Sequence, residues 1–594
     1  MSRSQTDLNL YVANRIREAL STIAEDRISE DSVSEGGGKE IGSRPLALLP
    51  PKDEELGDLG LACFPFAKAF GMNPLELCAE LATRIPTDDV IERIKPTGPF
   101  LNLALSRKAL AEVTIRGVLE NHAPFGPFDP NGKKVVIDYS SPNIAKPFHL
   151  GHLRSTVIGA ALRRLYMHTG HEVHGINHLG DWGAQFGKII VAWREWGDEE
   201  ALQANPMRHL FEIYVRYGQE SKERPELDEA ASLAFQNLET GDDNDERRLW
   251  KKLRNISLQA FQGPYGRLGV EFDHVTGESF YEDKMEATIE AIEAAGIATV
   301  SEGALVVDLS EEGLPPCILR KSDGTTIYAT RDLAALFYRR ETYGFDRLLY
   351  VVGQEQKLHF RQLKLVLDKL GWSEAGQVEH VDFGLILFWH EDEKKWKKGT
   401  TRGGNAIFLD EVLDEAVSGV RKIIEEKNPD LPDKERIAEQ VGVSAIVFND
   451  LKNERIKDVK FDWDRMLSFD GETGPYVQYA GARLFSILRK AGVTADTIDV
   501  SAIDYTTLAD ADRVLLVMQE FGPTLQKALD RNEPSQITSL MIRLASSIHS
   551  YLREHHVLSA EEPVRSARLA LVAAARKLLA QGLAILGVAS PEEM

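Results

Sequence analysis

One stretch constrains the fold of this chain more than any other, because it joins a strand pattern to a helix pattern through a short loop. The β-rich run KKVVIDYSS begins at Lys133, and Pro142 and Pro147 prevent immediate helix formation after it. Apolar residues then recur at helical spacing through GHLRSTVIGAALRRLYMHTG, which ends at Gly170, the position of a C′ glycine. EVHGINHL predicts a second strand. This β-loop-α-β order predicts the opening of a doubly wound parallel sheet.

The loop of this unit carries groups that suit phosphate. A strand that feeds a helix through a short loop presents unpaired backbone N–H groups and the positive end of the helix dipole. Lys146 adds a cation, His149 and His152 add imidazole donors, and Gly151 allows a flat purine to approach the backbone. On these residues alone two interpretations stay open: a nucleotide triphosphate site, or histidines that only cap a helix.

Length and composition predict a multidomain protein with ordinary cores. The chain has 594 residues, which exceeds what one core supports, and 43% of them are hydrophobic. Its three cysteines lack metal-ligand spacing, so a reduced compartment is expected and a structural zinc site is not. The N-terminus lacks a signal-type apolar run, and charges interrupt the apolar C-terminal run, so we expect a cytoplasmic protein without a membrane segment. The net charge of -22 requires any RNA to meet local basic patches.

Three domains are expected from the pattern of breaks along the chain. Residues 1–125 predict a small α/β domain, with a helix starting near Pro74 and a strand in TGPFLNLAL. Residues 126–454 hold the doubly wound sheet, with a highly charged helical insertion at about 196–303. Residues 455–594 predict a bundle of amphipathic helices.

Longer motifs carry a resemblance to a known family. SSPNIAKPFHLGHLRST resembles the signature of class I aminoacyl-tRNA synthetases, and SPNIAKPFHLGH is similar to the arginyl form of it. Further blocks resemble the arginyl enzymes in the same order: NHLGDWGAQFG, IYATRDLAA, YVVGQEQKLHFRQL and GETGPYVQYAGAR. The resemblance extends from GDLGLACFPFAKAFGMNP to Met594, which is almost the whole chain.

The resemblance implies a fold and a reaction. The fold is multidomain α/β and all-α: a Rossmann-like catalytic domain with a connective insertion, an N-terminal domain that contacts tRNA, and a C-terminal helical domain that binds the anticodon. In the reaction, ATP with Mg2+ activates L-arginine to arginyl-adenylate, and arginine then passes to the 3′-terminal ribose of tRNA(Arg). No metal held tightly by the protein is expected. A monomer is expected, and members of the family commonly require bound tRNA before they activate arginine.

The same resemblance assigns residues to the amino acid. A guanidinium is planar and carries five donors, so its pocket needs carboxylates and other acceptors. The family pattern places these acceptors at Asp138, Tyr328 and Asp332, and it assigns the α-amino and carbonyl groups to Ser141, Asn143 and Gln356. Taken alone, Tyr328 is more typical of a core residue, and Asp332 beside Arg331 is compatible with a surface ion pair.

For ATP, the family pattern implies that His149, Gly151 and His152 surround the nucleotide, with both histidines catalytic. Most class I enzymes also have a Lys-Met-Ser-Lys-Ser loop, and the matching stretch here is KKWKKGTTRGGNAIFLDEV.

Gly403 falls about where the second lysine of that loop would stand. In many arginyl enzymes a lysine before the first histidine compensates, and Lys146 occupies that place. We therefore predict that Lys146 neutralises the transferring phosphates, while Lys398 and Arg402 assist in binding ATP.

For tRNA, the resemblance points to residues in both outer domains. Phe100 and Asn102 are candidates for stacking on and hydrogen bonding to an unpaired base, although both are equally compatible with core positions. Tyr479 is a candidate for the anticodon.

Two other functions compete with arginyl-tRNA synthesis. Another nucleotidyl-transferring enzyme on the same fold explains the two histidines but not the arginine pocket or the helical C-terminal part. A relative that binds tRNA without full catalytic activity should have lost part of the set His149, His152, Asn143 and Gln356, and all four are present.

Overall fold

The computed structural model of the protein describes residues 8–29, 46–49, 51, 53–240, 243–390, 394–398 and 407–594. Its first unit contains a four-stranded antiparallel sheet of order β1-β2-β4-β3. These strands are β1 (Leu48–Leu49), β2 (Leu59–Ala62), β3 (Ile91–Thr97) and β4 (Phe100–Leu105). The accompanying helices are Leu8–Ser29, Phe64–Phe70, Pro74–Arg84 and Arg107–Leu119. The predicted helix start is confirmed, since the Asn73 side chain caps it by accepting the N–H of Leu75 at 2.9 Å.

A five-stranded parallel sheet forms the centre of the molecule and confirms the predicted doubly wound fold. Its order is β12-β11-β5-β6-β7. The strands are β5 (Lys134–Asp138), β6 (Glu172–Leu179), β7 (His274–Gly277), β11 (Arg347–Tyr350) and β12 (Val378–His380). The chain adds β6 and β7 on one side of β5 and then β11 and β12 on the other. The strand order thus reverses between β5 and β11, where sheets of this kind bind ligands at the carboxyl ends of the strands.

The helix after β5 lies directly on the sheet. It spans Leu153–His168, and Gly170 follows it with φ of 81°, as the sequence predicted for a C′ glycine. A Cβ on Gly159 would lie 2.2 Å from the Cβ of Tyr139, so only glycine permits this approach. The second turn of the helix is therefore held against Tyr139, the residue directly after β5.

The crossover from β6 to β7 is helical, as predicted, but the insertion expected at about 196–303 is not helical throughout. The crossover holds the helices Gln185–Trp196, Glu199–Ala204, Pro206–Glu220, Glu226–Thr240 and Asp245–Leu268, and the first of these precedes the predicted insertion. The strand β7 then returns to the parallel sheet inside the range that was predicted to be an insertion. A four-residue strand between charged helices has too few positions to show an alternating pattern, which explains why it was missed.

A further segment follows β7 and extends past residue 303, where the predicted insertion ends. It consists of the helix Met285–Ala294 and an antiparallel sheet of order β10-β9-β8, with β8 at Ala298–Ser301, β9 at Ala304–Val307 and β10 at Cys317–Arg320. The helix Tyr328–Tyr343 then leads into β11. The helix Lys357–Lys369 connects β11 to β12.

A small mixed sheet joins the part of the chain with the parallel sheet to the helical part. Its strands are β13 (Ile386–His390), β14 (Lys395–Lys398) and β15 (Val459–Lys460), with β13 in the centre, antiparallel to β14 and parallel to β15. The helices Leu409–Lys427, Lys434–Leu451 and Trp463–Met466 surround it in sequence.

A buried ion pair connects these helices to the parallel sheet. Arg154, in the first turn of the helix after β5, pairs with Asp450 through Nε and Oδ2 at 3.0 Å. Both side chains are almost fully buried, and burial raises the pKa of Asp450. Arg154 also donates to the carbonyl oxygen of Lys457 at 2.8 Å, just before β15.

The last unit is the predicted helical bundle. Its helices are Gly474–Ala491, Asp512–Gln519, Phe521–Arg531, Ser535–Glu554 and Val564–Leu586. Among the described residues, Val564–Leu586 is the one helix long and apolar enough to cross a membrane, yet 72% of its apolar window is buried inside the fold. It serves as the core helix of the bundle. The bundle also contacts the first unit, since Gln519 donates to the hydroxyl of Thr114 at 2.8 Å.

Candidate active site

The loop after β5 adopts a backbone conformation that L-residues seldom take. Ser140, Ser141 and Ala145 have φ of 70°, 49° and 56°. Buried hydroxyl groups hold this conformation: the N–H of Ser140 donates to Ser155 Oγ and that of Ala145 to Ser257 Oγ, each at 2.9 Å. Strained backbone of this kind persists where the surroundings fix it, and it is typical of ligand-binding loops.

The two histidines form a tight turn in front of the helix, which we call the histidine turn (His149 to His152). His149 Nδ1 accepts the N–H of Gly151 at 3.0 Å, and His152 Nδ1 accepts the N–H of His149 at 3.3 Å. The two rings stack with centroids 3.8 Å apart. Both histidines therefore cap the turn. Since both Nδ1 atoms accept hydrogen bonds, the Nε2 atoms carry the protons and can donate to a ligand. A Cβ on Gly151 would lie 2.7 Å from His149 Cε1, so the turn requires glycine there.

Charge at this site resides on Lys146 rather than on the histidines. Burial, and to a smaller extent repulsion from Lys146, lower the pKa of His149 to about 4. Burial also lowers the pKa of His152 well below its ordinary value, with contributions from His149 and Lys146. At neutral pH both imidazoles are uncharged, so they can contribute hydrogen bonds to a phosphate but not positive charge.

Lys146 contacts the helical crossover between β6 and β7. Its Nζ donates to Gln185 Oε1 at 3.3 Å and lies 5.3 Å from the ring centroid of Tyr214. The side chain is half-buried, and burial lowers its pKa. The ammonium group therefore sits in an environment with little competing solvent, which strengthens its attraction for an anion.

A second segment closes the histidine turn from the opposite side. The N–H of Leu150 donates to the carbonyl oxygen of Ile407 at 3.1 Å, and the N–H of Leu409 donates to that of Phe148 at 2.9 Å. These bonds join the turn to the residues that come directly after the lysine- and glycine-rich stretch.

Of the two residues of that stretch predicted to bind ATP, one can be located. Lys398 is exposed, and its Nζ pairs with Glu355 Oε1 at 2.8 Å beyond the carboxyl end of β11. Arg402 lies outside the described residues, as does Gly403. The predicted role of Lys398 is compatible with its position, because Glu355 adjoins the crevice between β5 and β11.

Asp138 lies at the end of β5, but its carboxylate is already engaged. One oxygen accepts from Arg339 Nη2 at 2.7 Å, and the other accepts from Ser141 Oγ at 2.8 Å. Asp138 is 3% exposed and Arg339 is 0% exposed. The sequence predicts that Asp138 binds the guanidinium of the substrate. In the structure its carboxylate binds the guanidinium of Arg339 instead.

Tyr328 and Asp332 lie one turn apart at the start of a helix and share a face, as predicted. Asp332 Oδ2 lies 2.6 Å from Nε2 of His359, and the ring of Tyr328 meets the same imidazole edge-on with centroids 4.9 Å apart. Tyr328 is 56% exposed, so the alternative that it is a core residue is wrong.

Glu278 completes an acidic pocket and was missed in the sequence. It follows β7 directly, and its Oε2 accepts from Arg331 Nη1 at 3.4 Å. Burial raises the pKa of Glu278 to about 7, opposed by Arg331 and assisted by the negative charges of Asp332 and Asp181. The acidic run after β7 was the available signal, but it could not be interpreted without recognising that strand. We call Asp332 and Glu278 the acidic pocket.

Asn143 and Gln356 lie on opposite sides of the crevice. Asn143 pairs through its backbone with Gly180, and its Oδ1 lies 3.5 Å from Nε2 of Gln185. Gln356 is exposed in the short turn after β11, immediately before the helix Lys357–Lys369. The structure thus brings the predicted amino-acid residues to the edge of the sheet where the strand order reverses.

The predicted tRNA residues differ in exposure. Phe100 is 47% exposed and meets Phe64 edge-on, with centroids 6.1 Å apart. Asn102 is 3% exposed, and its amide donates to the carbonyl oxygen of Lys95 at 3.3 Å, which favours the alternative that it occupies a core position. The reason is its place in the middle strand of the sheet, between β2 and β3. Tyr479 is 45% exposed and stacks on His549 in the helical bundle.

Comparison with protein families gives three matches along the chain. Residues 114–463 match the family described as "tRNA synthetases class I (R), catalytic domain". Residues 11–105 match "Arginyl tRNA synthetase N terminal domain", and residues 477–594 match "DALR anticodon binding domain".

Individual relatives agree with these families. The arginine–tRNA ligase of Exiguobacterium sibiricum is 45% identical over 544 residues, which covers 92% of this chain and 95% of the relative. That of Clostridioides difficile is 40% identical over 593 residues and covers 99% and 100% of the two chains. Among solved structures, the Thermus thermophilus arginyl-tRNA synthetase matches with a TM-score of 0.80 and 28% identity, over 96% of this chain and 100% of the other.

Proposed function

The chain belongs to the arginyl-tRNA synthetases, enzymes that use ATP to join arginine to tRNA, and we propose that Lys146, the histidine turn and the acidic pocket divide the first step of this reaction between them. The proposal is supported by the location of all three at the carboxyl edge of the parallel sheet. The histidine turn and Lys146 follow β5, while the acidic pocket lies at the end of β7 and the start of the helix Tyr328–Tyr343.

In the first step, the arginine carboxylate attacks the α-phosphorus of MgATP. A bond forms between the carboxylate oxygen and phosphorus, the bond to the bridging oxygen breaks, and pyrophosphate leaves with the electron pair. The nucleophile is already an anion, so no general base is required, and catalysis rests on alignment and charge stabilisation. Mg2+ enters with ATP and carries part of the pyrophosphate charge.

The residues around the nucleotide have separate tasks in this step. We assign hydrogen bonding of the phosphates to the neutral imidazoles of His149 and His152, and positive charge to Lys146. Gly151 gives the nucleotide access to the backbone of the turn. Lys398 lies at the rim and is assigned to the leaving pyrophosphate.

The acidic pocket is assigned to the guanidinium of arginine. Asp332, oriented by His359, and Glu278 supply two carboxylates for a planar cation, and Tyr328 stands beside them as a further acceptor. A neutral or shorter side chain would leave these acceptors unpaired, which is an effective basis for rejecting it.

Asp138 is assigned an indirect part. Neutralised by Arg339, it holds Ser141 in the strained loop, and Ser141 with Asn143 and Gln356 is assigned to the α-amino and carboxylate groups. This assignment replaces a direct contact between Asp138 and the guanidinium.

In the second step, a hydroxyl of the terminal ribose of tRNA attacks the carbonyl carbon of arginyl-adenylate, and AMP leaves. We propose tRNA contacts at Phe100 and Tyr479, which expose aromatic surface in the two outer units. We also propose the domain limits 1–125, 126–454 and 455–594, a monomer, and a cytoplasmic location away from membranes. A relative that binds tRNA without full activity has no support, because the residues that such a relative should have lost are present.

The experiment that tests this function is exchange of radiolabelled pyrophosphate into ATP, with and without arginine and with and without tRNA(Arg). Exchange that depends on arginine and is not restored by lysine is expected. Exchange without arginine would indicate a different nucleotidyl transfer, and no exchange under any condition would refute the proposed catalytic roles. Charging of tRNA with labelled arginine measures the second step separately.

A further inference from the structure

One face of the mixed sheet combines aromatic and basic side chains. Trp389 and Trp396 are direct partners across the β13–β14 hairpin, with ring centroids 5.6 Å apart at 62°. Lys460 of β15 joins them, because its Nζ lies 5.4 Å from the ring centroid of Trp396. Lys398 lies on the same side of β14 as Trp396, since side chains alternate along a strand. We call these four residues the tryptophan face.

In the part of the chain that the structure describes, neither tryptophan of this face belongs to a hydrophobic core cluster. Trp389 is 44% exposed, and Lys398 and Lys460 are exposed as well. The opposite side of β13 packs against the core, because Phe388 contacts Phe461 there with ring centroids 5.5 Å apart. A large exposed aromatic side chain between lysines is unexpected in a chain of net charge -22, and such a patch is a sign of a binding surface.

The tryptophan face begins at the rim of the active site. Lys398 pairs with Glu355, which is the neighbour in sequence of Gln356. Trp396 follows two residues away along β14, a distance of about 7 Å, and Trp389 lies opposite it. The face therefore leads outward from the place that the proposed function assigns to the substrate carboxylate.

We propose that the tryptophan face binds the unpaired 3′ end of the tRNA, with Trp389 as a stacking platform and Lys460 beside the phosphates. The proposal rests on the proposed function, because the terminal ribose must reach the adenylate. Exposed aromatic rings next to cations suit single-stranded RNA, whose bases are free to stack, whereas the bases of a paired stem are not. The position at the rim suits the strand that carries the reacting ribose.

The test compares two RNAs with matched variants. Dissociation constants are measured at one salt concentration for intact tRNA(Arg) and for the same tRNA without its unpaired 3′ nucleotides. Trp389→Leu removes the aromatic ring but keeps an apolar side chain, and it should weaken binding of intact tRNA about tenfold, which corresponds to one stacked base. Binding of the shortened tRNA should not change. Trp389→Phe should restore most of the lost affinity.

The contribution of the positive charge of Lys460 is tested with the same two RNAs. Lys460→Gln should weaken binding of intact tRNA more than that of the shortened form and should reduce its salt dependence. Lys321→Gln is the matched control, because it removes one exposed lysine from a turn beyond β10 and should change neither affinity. Thermal unfolding of each variant verifies that the hairpin stays folded.

Two results would overturn the proposal: Trp389→Leu that weakens both RNAs equally, or Trp389→Leu that weakens neither. Failure of the proposed function has a different signature, since wild-type enzyme would then lack arginine-dependent pyrophosphate exchange whatever the affinity for either RNA.

Discussion

Replacing Lys146 by methionine tests the division of labour at the histidine turn. The change removes one positive charge while keeping an unbranched apolar chain between Gln185 and Tyr214. Burial is the largest cause of the lowered pKa of both histidines and persists in the variant, so no imidazolium is expected to replace the lost charge at neutral pH. The transferring phosphates should therefore lose their principal cation from the protein.

The magnitude follows from the half-buried position of Lys146. Two unit charges 4 Å apart interact by ~4 kcal/mol at an effective dielectric constant of about 20. Only the part that grows in the transition state affects the rate, and removing one preorganised group of this kind typically costs on the order of 10²–10³-fold in kcat. We expect a loss in that range in pyrophosphate exchange, with the affinity for tRNA(Arg) changed less than about twofold. Lys146→Arg, which keeps the charge, should retain more activity than Lys146→Met.

A second readout separates this electrostatic role from a merely structural one. Removing Lys146 removes a repulsion that lowers the pKa of His149, so that pKa should rise from about 4 in the variant. Titration by nuclear magnetic resonance of the labelled imidazole measures the shift. An exchange rate within fivefold of wild type, or an unchanged titration of His149, would refute the reasoning.

Glu278, Asp450 and Gly159 each give a further measurable expectation. Because the pKa of Glu278 is raised to about 7, its carboxylate forms as the pH rises through neutrality, so the KM for arginine should fall between pH 6 and pH 8. Glu278→Gln should give a higher KM with a weaker pH dependence, and a flat wild-type profile would contradict the role of Glu278. Asp450→Leu leaves the buried Arg154 without its carboxylate partner and should cost about 3–5 kcal/mol in urea unfolding, most of it recovered by adding Arg154→Met. An additive double variant would contradict that pairing. Gly159→Ala places a methyl group against Tyr139 and should lower stability by about 1–3 kcal/mol together with kcat/KM, whereas a wild-type melting temperature would show that the contact is not tight.

The parts of the fold that could be predicted from the sequence depend on neighbours in the chain. The strand β5, the helix Leu153–His168 and the strand β6 follow from apolar spacing, Pro142, Pro147 and Gly170, all within about 50 residues. The family followed from long motifs in the expected order, and the family matches confirm it. The position of the crevice then followed from the general behaviour of doubly wound sheets.

Features that arise between distant segments could not be predicted. The partner of Asp138 is Arg339, 201 residues away, and no local pattern connects them. Glu278 was missed because β7 is only four residues long. Asn102 is buried through its register with two neighbouring strands, which the alternation within β4 alone does not reveal.

The internal pair of Asp138 and Arg339 bears on attempts to redesign this enzyme for other amino acids. A designer who aims at an uncharged isostere such as citrulline would be tempted to neutralise every carboxylate near the substrate. Changing Asp138 would leave the fully buried Arg339 without its carboxylate partner and would remove the hydrogen bond that holds Ser141. The fold would then be destabilised before selectivity could be measured. Library design should therefore keep that pair constant and vary Asp332 and Glu278, whose side chains are 26% and 25% exposed.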